Sequence, residues 1–134
     1  MHRRYAAVAA ILFATAAAAQ DERPLPDLAA CRLDDENVVL SFKFEASPCW
    51  RVEDPRFDST EGDLAAVTIP TIKVGQICTM NIVIYEYAET LPLMASVNKL
   101  GVTVTDPDGQ PVGQGIAAVQ APGGPCEAPP PKAE

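Results

Sequence analysis

Short stretches in which side chains alternate between two faces constrain the fold of this chain most strongly. From Asn37 onward, Leu40, Phe42 and Phe44 fall on the same side of the backbone, which is typical of a strand with one buried face. No segment carries the long apolar stripe of an amphipathic helix. The pattern therefore predicts an all-β domain.

Further strands follow along the chain. Residues 67–74 are rich in β-branched side chains and contain Pro70, which lacks a backbone N–H and so belongs at a sheet edge or a bulge. Residues 77–87 form the strongest predicted strand, and because both of its faces carry apolar residues we expect a central strand covered on both sides. Two more strands are predicted at 98–105 and 111–120, and with residues 77–87 they would form a meander.

The turn Asp106-Pro107-Asp108-Gly109 joins the last two strands. Proline presets φ, the aspartates accept hydrogen bonds from neighbouring amides, and glycine adopts the left-handed conformation. The stretch 102–113 resembles the terminal hairpin of many bacterial immunoglobulin-like and transthyretin-like modules, over about a tenth of the chain. Together with the short strands, this resemblance implies a small antiparallel β-sandwich of one of these types, and it implies nothing about function.

The first nineteen residues have the features of a secretory signal peptide. Arg3 and Arg4 are followed by an apolar run over 5–19, which ends in the small residues that a signal peptidase needs before Gln20. The run is shorter than the roughly 20 residues that span a bilayer, so we expect cleavage and no membrane anchor. A lipoprotein-like box ends at Cys31, but a charged stretch separates it from the apolar run, and we do not expect lipidation.

The expected domain organisation has four parts. After the signal peptide at 1–19, residues 20–36 form an extended leader, with a possible turn of helix at 27–32. The sandwich domain spans 37–120, and a proline-rich tail covers 121–134.

Charge and histidine usage exclude several function classes. Removing the signal peptide leaves eight basic against eighteen acidic residues, a net charge of −10, which disfavours nucleic acid and anionic membranes as partners. His2 is the only histidine and leaves with the signal peptide, so histidine-dependent catalysis and imidazole metal sites are excluded from the mature chain. We expect no cofactor, a periplasmic or secreted location, and a partner that is another exported or envelope protein.

Four cysteines in a small exported chain predict two disulfides. A meander of the last three strands would place Cys78 about 30 Å from the start of the tail, which six tail residues cannot span to bring Cys126 within bonding distance. The preferred pairs are Cys31–Cys126 and Cys49–Cys78, with Cys31–Cys78 and Cys49–Cys126 as the alternative.

The sequence favours a binding role without catalysis. Tyr85 and Tyr87 share one face of the strand predicted at 77–87, and if that face is open they form an amphipathic contact surface together with Trp50. The alternative is that the two tyrosines cover the edge of the core. The predicted function is therefore an exported, non-catalytic binding or accessory protein.

Two other function classes remain as alternatives. A polar loop predicted at 45–63 carries four acidic residues that could ligate calcium, although their spacing is not that of an EF-hand: Asp54, Asp58, Glu61 and Asp63. Cys78 and Met80 could hold Cu(I). A small hydrolase using paired carboxylates, such as Glu86 and Glu89, is the least favoured alternative.

Overall fold

The structure, a computed structural model, describes residues 23–78 and 80–122. This part of the chain is all-β and contains no helix, which confirms the predicted class. Its eight strands are β1 (Ala29–Arg32), β2 (Asn37–Ala46), β3 (Trp50–Val52), β4 (Arg56–Glu61), β5 (Leu64–Lys73), β6 (Val83–Pro92), β7 (Lys99–Thr105) and β8 (Pro111–Gln120). The predicted signal peptide and nearly all of the predicted tail, including Cys126, lie outside the described residues.

The strands form a mixed sheet with the hydrogen-bonded order β3-β5-β7-β8-β1-β2-β6, and β4 also pairs with β5. The pairings of β5 with β7 and of β1 with β8 are parallel, so the prediction of a purely antiparallel arrangement is wrong. Parallel neighbours need a crossover connection. Here the chain leaves β5, forms β6 at the far end of the sheet, and returns to pair β7 with β5. The predicted meander is wrong for the same reason.

The sheet curls around a single hydrophobic core. Leu40, Phe42 and Phe44 of β2 are buried, and Val67 and Ile69 of β5 belong to the same core cluster. Because β2 and β5 lie near opposite ends of the hydrogen-bonded path, they can share a core only if the sheet bends back on itself. The alternation predicted for β2 is confirmed, since its buried positions are every second residue.

Part of the predicted leader belongs to the sheet. β1 pairs with both β2 and β8, and its Ala30 is fully buried. Ahead of it, the buried Leu25 donates its backbone N–H to the carbonyl of Gln114 at 3.1 Å. The possible turn of helix at 27–32 is therefore wrong, because pairing with two distant strands satisfies the backbone in an extended conformation.

The polar loop predicted at 45–63 is also wrong, because this stretch contains β3 and β4. Both strands add to the same edge of β5, and all six residues of β4 are exposed, so no apolar alternation marks it. β5 pairs with β4 as far as Thr68 and with β3 from Thr71. Pro70 lies between these two pairings, where a missing N–H donor is tolerated, although β5 itself is not an edge strand.

The strand predicted at 77–87 is displaced. The observed β6 begins at Val83, which pairs with Ala46 at the end of β2, and the described residues among 77–82 belong to no strand. β6 also lies at the end of the hydrogen-bonded path, so the prediction of a central strand is wrong.

The predicted hairpin between β7 and β8 is confirmed. One carboxylate oxygen of Asp106 accepts hydrogen bonds from the backbone amides of Asp108 and Gln110, both at 2.9 Å. Gly109 has a φ of 84°, the left-handed conformation that glycine adopts without steric cost. The turn is thus determined by the residue types that the sequence places there.

Arg32 at the end of β1 forms hydrogen bonds with the loop between β6 and β7 and holds it in place. Its guanidinium donates hydrogen bonds to the carbonyl oxygens of Leu93, Met94 (3.0 Å) and Val97 (2.9 Å).

We expect Arg32→Lys to lower the free energy of unfolding by about 1–2 kcal/mol, because a lysine ammonium cannot reproduce the planar fork of donors. Urea unfolding would measure the loss. Arg51→Lys, which affects only an exposed ion pair, is the control and should cost less than about 0.5 kcal/mol. Equal losses in the two variants would contradict this role.

Candidate functional site

Four strongly exposed large apolar residues lie close together where the chain enters β6. Met80 is fully exposed, and Ile77, Ile82 and Ile84 are 93%, 70% and 61% exposed. These four residues are called the apolar edge below. Exposed apolar side chains that cluster along one short segment are typical of a surface that contacts another molecule.

The segment that carries the apolar edge is attached to Cys49, the residue just before β3. Gly75, with a φ of 86°, turns the chain after β5, and the backbone N–H of Val74 donates to the carbonyl of Cys49 at 2.7 Å. Cys49 and Cys78 form a disulfide with their Cα atoms 5.6 Å apart. The segment is therefore attached near its start, while Ile82 and Ile84 continue into β6.

The disulfide decides between the two predicted connectivities. The pair Cys49–Cys78 is confirmed, and the alternative pairing that joins Cys78 to Cys31 is wrong. The pair Cys31–Cys126 stays a prediction, because Cys126 lies outside the described residues. Because Cys78 is oxidised in this disulfide, it supplies no thiolate, and the proposed Cu(I) site loses its main ligand.

β6 pairs along its full length with β2, and no other strand in the described ranges pairs with it. The backbone N–H and C=O groups on the other side of β6 therefore pair with no described strand. A sheet edge of this kind can accept an added strand. The only proline of β6 is Pro92, its last residue, and the strand contains no lysine or arginine. Charged residues and prolines commonly prevent an edge strand from pairing with other chains. In β6 the only such residues are its two glutamates and its final proline.

The outer face of β6 carries charge beside the apolar edge. Lys43 of β2 lies 3.6 Å from the Glu86 carboxylate and 3.3 Å from Asp27 of the leader. The hydrogen bond to Asp27 raises the pKa of Lys43, and Glu86 adds to the effect. Next to these groups, residues 23–26, Phe44 and Ile84 line a cavity of about 640 Å³. This side of the apolar edge combines an apolar wall with exposed charges of both signs.

The three rings of the predicted binding surface do not form one exposed surface. Tyr87 is 4% exposed and stacks on Phe42, with ring centroids 4.7 Å apart. Tyr85 is partly exposed and packs on Phe44 at 5.2 Å. Trp50 is half-buried in β3 and lines a different cavity of about 290 Å³, together with Met80. Tyr87 thus covers the core edge.

A small acidic cleft lies between β6 and the stretch that follows β3. It has a volume of about 270 Å³, and its lining includes Glu53, Asp54, Tyr85, Tyr87 and Glu89. The Tyr87 hydroxyl is buried and has no hydrogen-bond partner among the described residues. Burial, followed by the nearby Glu89, Tyr85 and Asp54, raises the pKa of Tyr87 far above its ordinary value. Tyr87 is therefore neutral at physiological pH.

The structure does not gather the predicted calcium ligands. Asp58 accepts a hydrogen bond from Thr68 and lies 3.1 Å from the Arg56 guanidinium, and both contacts hold its pKa below the usual range. Glu61 and Asp63 are exposed around the turn between β4 and β5, and Asp54 lines the acidic cleft. Within the described ranges, no three acidic, cysteine or histidine side chains are placed to hold a metal ion.

The suggested carboxylate pair is not arranged around one cleft. Glu86 pairs in register with Lys43 on the outer face of β6, whereas Glu89 lines the acidic cleft together with Tyr87 on the other face. Side chains three positions apart in a strand point to opposite faces of the sheet. These two residues therefore do not form the acid and base of one hydrolytic site.

The sequence predicted neither the exposure of the apolar edge nor the acidic cleft. A signal for the apolar edge was present in the sequence, because residues 77–87 are apolar on both faces, a pattern that fits an exposed contact segment as well as a central strand.

The described chain contains no helix long and apolar enough to cross a membrane. Comparisons with protein-family models, with curated proteins and with solved structures found no match.

Proposed function

We propose that the protein is an exported, non-catalytic binding or accessory protein that acts through the apolar edge and the unpaired side of β6. The observation that carries this proposal is the exposure of four large apolar residues, Ile77, Met80, Ile82 and Ile84, beside an edge strand of ten residues. An apolar surface of this kind is costly to leave in water unless a partner covers it.

An exported location fits the same proposal. The N-terminal segment has the composition of a signal peptide, and the Cys49–Cys78 disulfide hints at an oxidising environment such as the periplasm or the cell exterior. We further propose that the curled sheet is a sandwich of immunoglobulin-like or transthyretin-like type, and that Cys31–Cys126 is its second disulfide.

The proposed partner contributes an extended segment that pairs with β6. An added strand would form hydrogen bonds with the unpaired backbone groups of β6. The side chains of the added strand would then contact the apolar edge. A second copy of this chain fits less well, because self-pairing over all of β6 would put Glu86 of one copy opposite Glu89 of the other. The chain as a whole carries a net charge of −8, so a segment that alternates apolar with basic residues complements it best.

Selection from a displayed library of linear peptides would test the proposal. We expect peptides selected on the wild-type protein to alternate apolar and basic residues, and to slow hydrogen exchange of the β6 amides. Ile82→Asp/Ile84→Asp should weaken their binding by about tenfold or more, because two apolar contacts are lost and charge is added.

The matched control is Met94→Asp/Ile116→Asp, which changes one loop residue and one strand residue of similar exposure elsewhere on the surface. It should bind the selected peptides like the wild-type protein. Equal binding by all three proteins would contradict the proposal. Sedimentation showing a dimer that Ile82→Asp/Ile84→Asp dissociates would replace the proposed partner with a second copy of the chain.

A further inference from the structure

Met80 is the member of the apolar edge whose side chain can be modified chemically. It is fully exposed, and the described part of the chain contains one other methionine, Met94. The thioether sulfur of methionine is a common target of oxidation, which converts it to a sulfoxide. Because Met80 is fully exposed, a small oxidant reaches its sulfur without any opening of the fold.

The surroundings of Met80 connect its chemical state to the apolar edge. Together with Trp50 and Ile82, Met80 lines the cavity of about 290 Å³ described above. Thioethers pack favourably on aromatic rings and fill irregular apolar gaps. A partner segment that covers the apolar edge would therefore take the Met80 thioether out of water together with the neighbouring isoleucines.

Oxidation would reverse the contribution of Met80 to such a contact. A sulfoxide is polar and accepts hydrogen bonds from water, whereas a thioether is nearly apolar. Apolar partner side chains would remove those hydrogen bonds without replacing them, which opposes binding. The other members of the apolar edge, Ile77, Ile82 and Ile84, are aliphatic and are not altered by the same oxidant.

Few other sulfur groups compete for the oxidant in this part of the chain. Cys49 and Cys78 are joined in a disulfide, and residues 23–78 and 80–122 contain no free thiol. Met94 is 72% exposed, but it lies between β6 and β7 and does not line the cavity beside Met80. Met94 is therefore a built-in control, an accessible methionine outside the apolar edge.

We propose that Met80 is an oxidation site, and that its sulfoxide lowers the affinity of the apolar edge for the partner segment. The inference rests on the proposed function and names a regulation of that same site. The oxidant is hydrogen peroxide. The Met80 sulfur donates an electron pair to one peroxide oxygen, so that an S–O bond forms and the O–O bond breaks. The second oxygen leaves as water after proton transfer, the sulfur being oxidised by two electrons and the peroxide reduced.

Timed treatment of the protein with hydrogen peroxide tests the inference. Mass spectrometry measures the sulfoxide at Met80 and Met94, with a short blocked methionine peptide in the same solution as the reference. We expect Met80 to react within about threefold of the rate of this reference. The peroxide is then removed, and peptides selected on the untreated wild-type protein should bind about fivefold or more weakly to the protein oxidised at Met80.

Two variants assign the effect to one sulfur. Met94→Leu should lose affinity on treatment as the wild-type protein does. Met80→Leu is compared with its own untreated form, and whatever its starting affinity, the treatment should leave that affinity unchanged. A similar loss in treated Met80→Leu would overturn the inference, because it would place the effect at another residue.

The outcomes separate this inference from the proposed function. Selected peptides that bind more weakly to Ile82→Asp/Ile84→Asp, but equally well before and after oxidation of Met80, would overturn the inference alone. Oxidation of Met80 more than about tenfold slower than that of the reference peptide would also overturn it. Equal binding of the peptides by Ile82→Asp/Ile84→Asp and the wild-type protein would overturn the proposed function and this inference with it.

Discussion

Replacing Phe42 with alanine is expected to lower the free energy of unfolding by about 3–5 kcal/mol, the largest loss that we predict for a single substitution. The Phe42 ring is 2% exposed, stacks on Tyr87 at 4.7 Å and lies 6.0 Å from the ring of Phe44. Its removal leaves a cavity at the point where β2 and β6 are joined. Small domains have only about 5–15 kcal/mol of total stability, so the variant should be close to unfolding at 37 °C.

Urea unfolding of the oxidised protein measures this loss, and Phe57→Ala provides a control of identical chemistry. Phe57 lies on β4 and is 39% exposed, so its truncation should cost less than about 1 kcal/mol. Similar losses in the two variants would show that β2 does not face the core in the register described, in which Phe42 pairs with Tyr87.

Removing the disulfide by Cys49→Ala/Cys78→Ala is expected to cost about 3–4 kcal/mol, because the bond closes a loop with a sequence separation of 29. The loop contains β3, β4, β5 and the segment that leads into β6. Besides the global loss, we expect faster hydrogen exchange around Ile77 and Ile82, because the disulfide attaches this segment near its start. Peptides selected on the apolar edge should then bind more weakly, since the edge would have to be ordered on binding.

Thermal unfolding and hydrogen exchange under oxidising conditions measure these effects. Ser47→Ala, which removes a nearby hydroxyl that accepts a hydrogen bond from the backbone N–H of Cys49, is the local control. It should cost less than about 1.5 kcal/mol and leave hydrogen exchange at 77–82 unchanged. Peptide mapping without reduction that finds Cys49 joined to Cys31 or Cys126 would contradict the connectivity.

The prediction of the Cys49–Cys78 pair was correct although its premise was wrong. A meander would put Cys78 inside a central strand, too far from the tail to pair with Cys126. In the structure Cys78 precedes β6, and β6 pairs with β2 rather than with β7. What determined the pair is that β3, immediately after Cys49, adds to β5, and that the chain turns back toward β3 at Gly75. Sequence reasoning could not supply that contact.

The two tyrosines show a similar limit. Their spacing correctly predicts that Tyr85 and Tyr87 share a face, because side chains alternate along any strand. The spacing does not determine whether that face is open or covered. Phe42 stacks on Tyr87 and Phe44 packs on the partly exposed Tyr85, and the register between β2 and β6 decides these contacts. The same register leaves Ile84 on the exposed face.

The sequence by itself determined the features that depend on neighbouring residues. These are the all-β class, the buried face of β2, and the turn at Asp106 to Gly109, because side-chain alternation and turn geometry are local properties. The tertiary structure alone decided that the leader supplies β1, that the exposed stretch 56–61 forms β4, and that the described residues among 77–82 lie outside any strand. A strand requires a hydrogen-bonded partner, and here the partners come from segments far away in the chain.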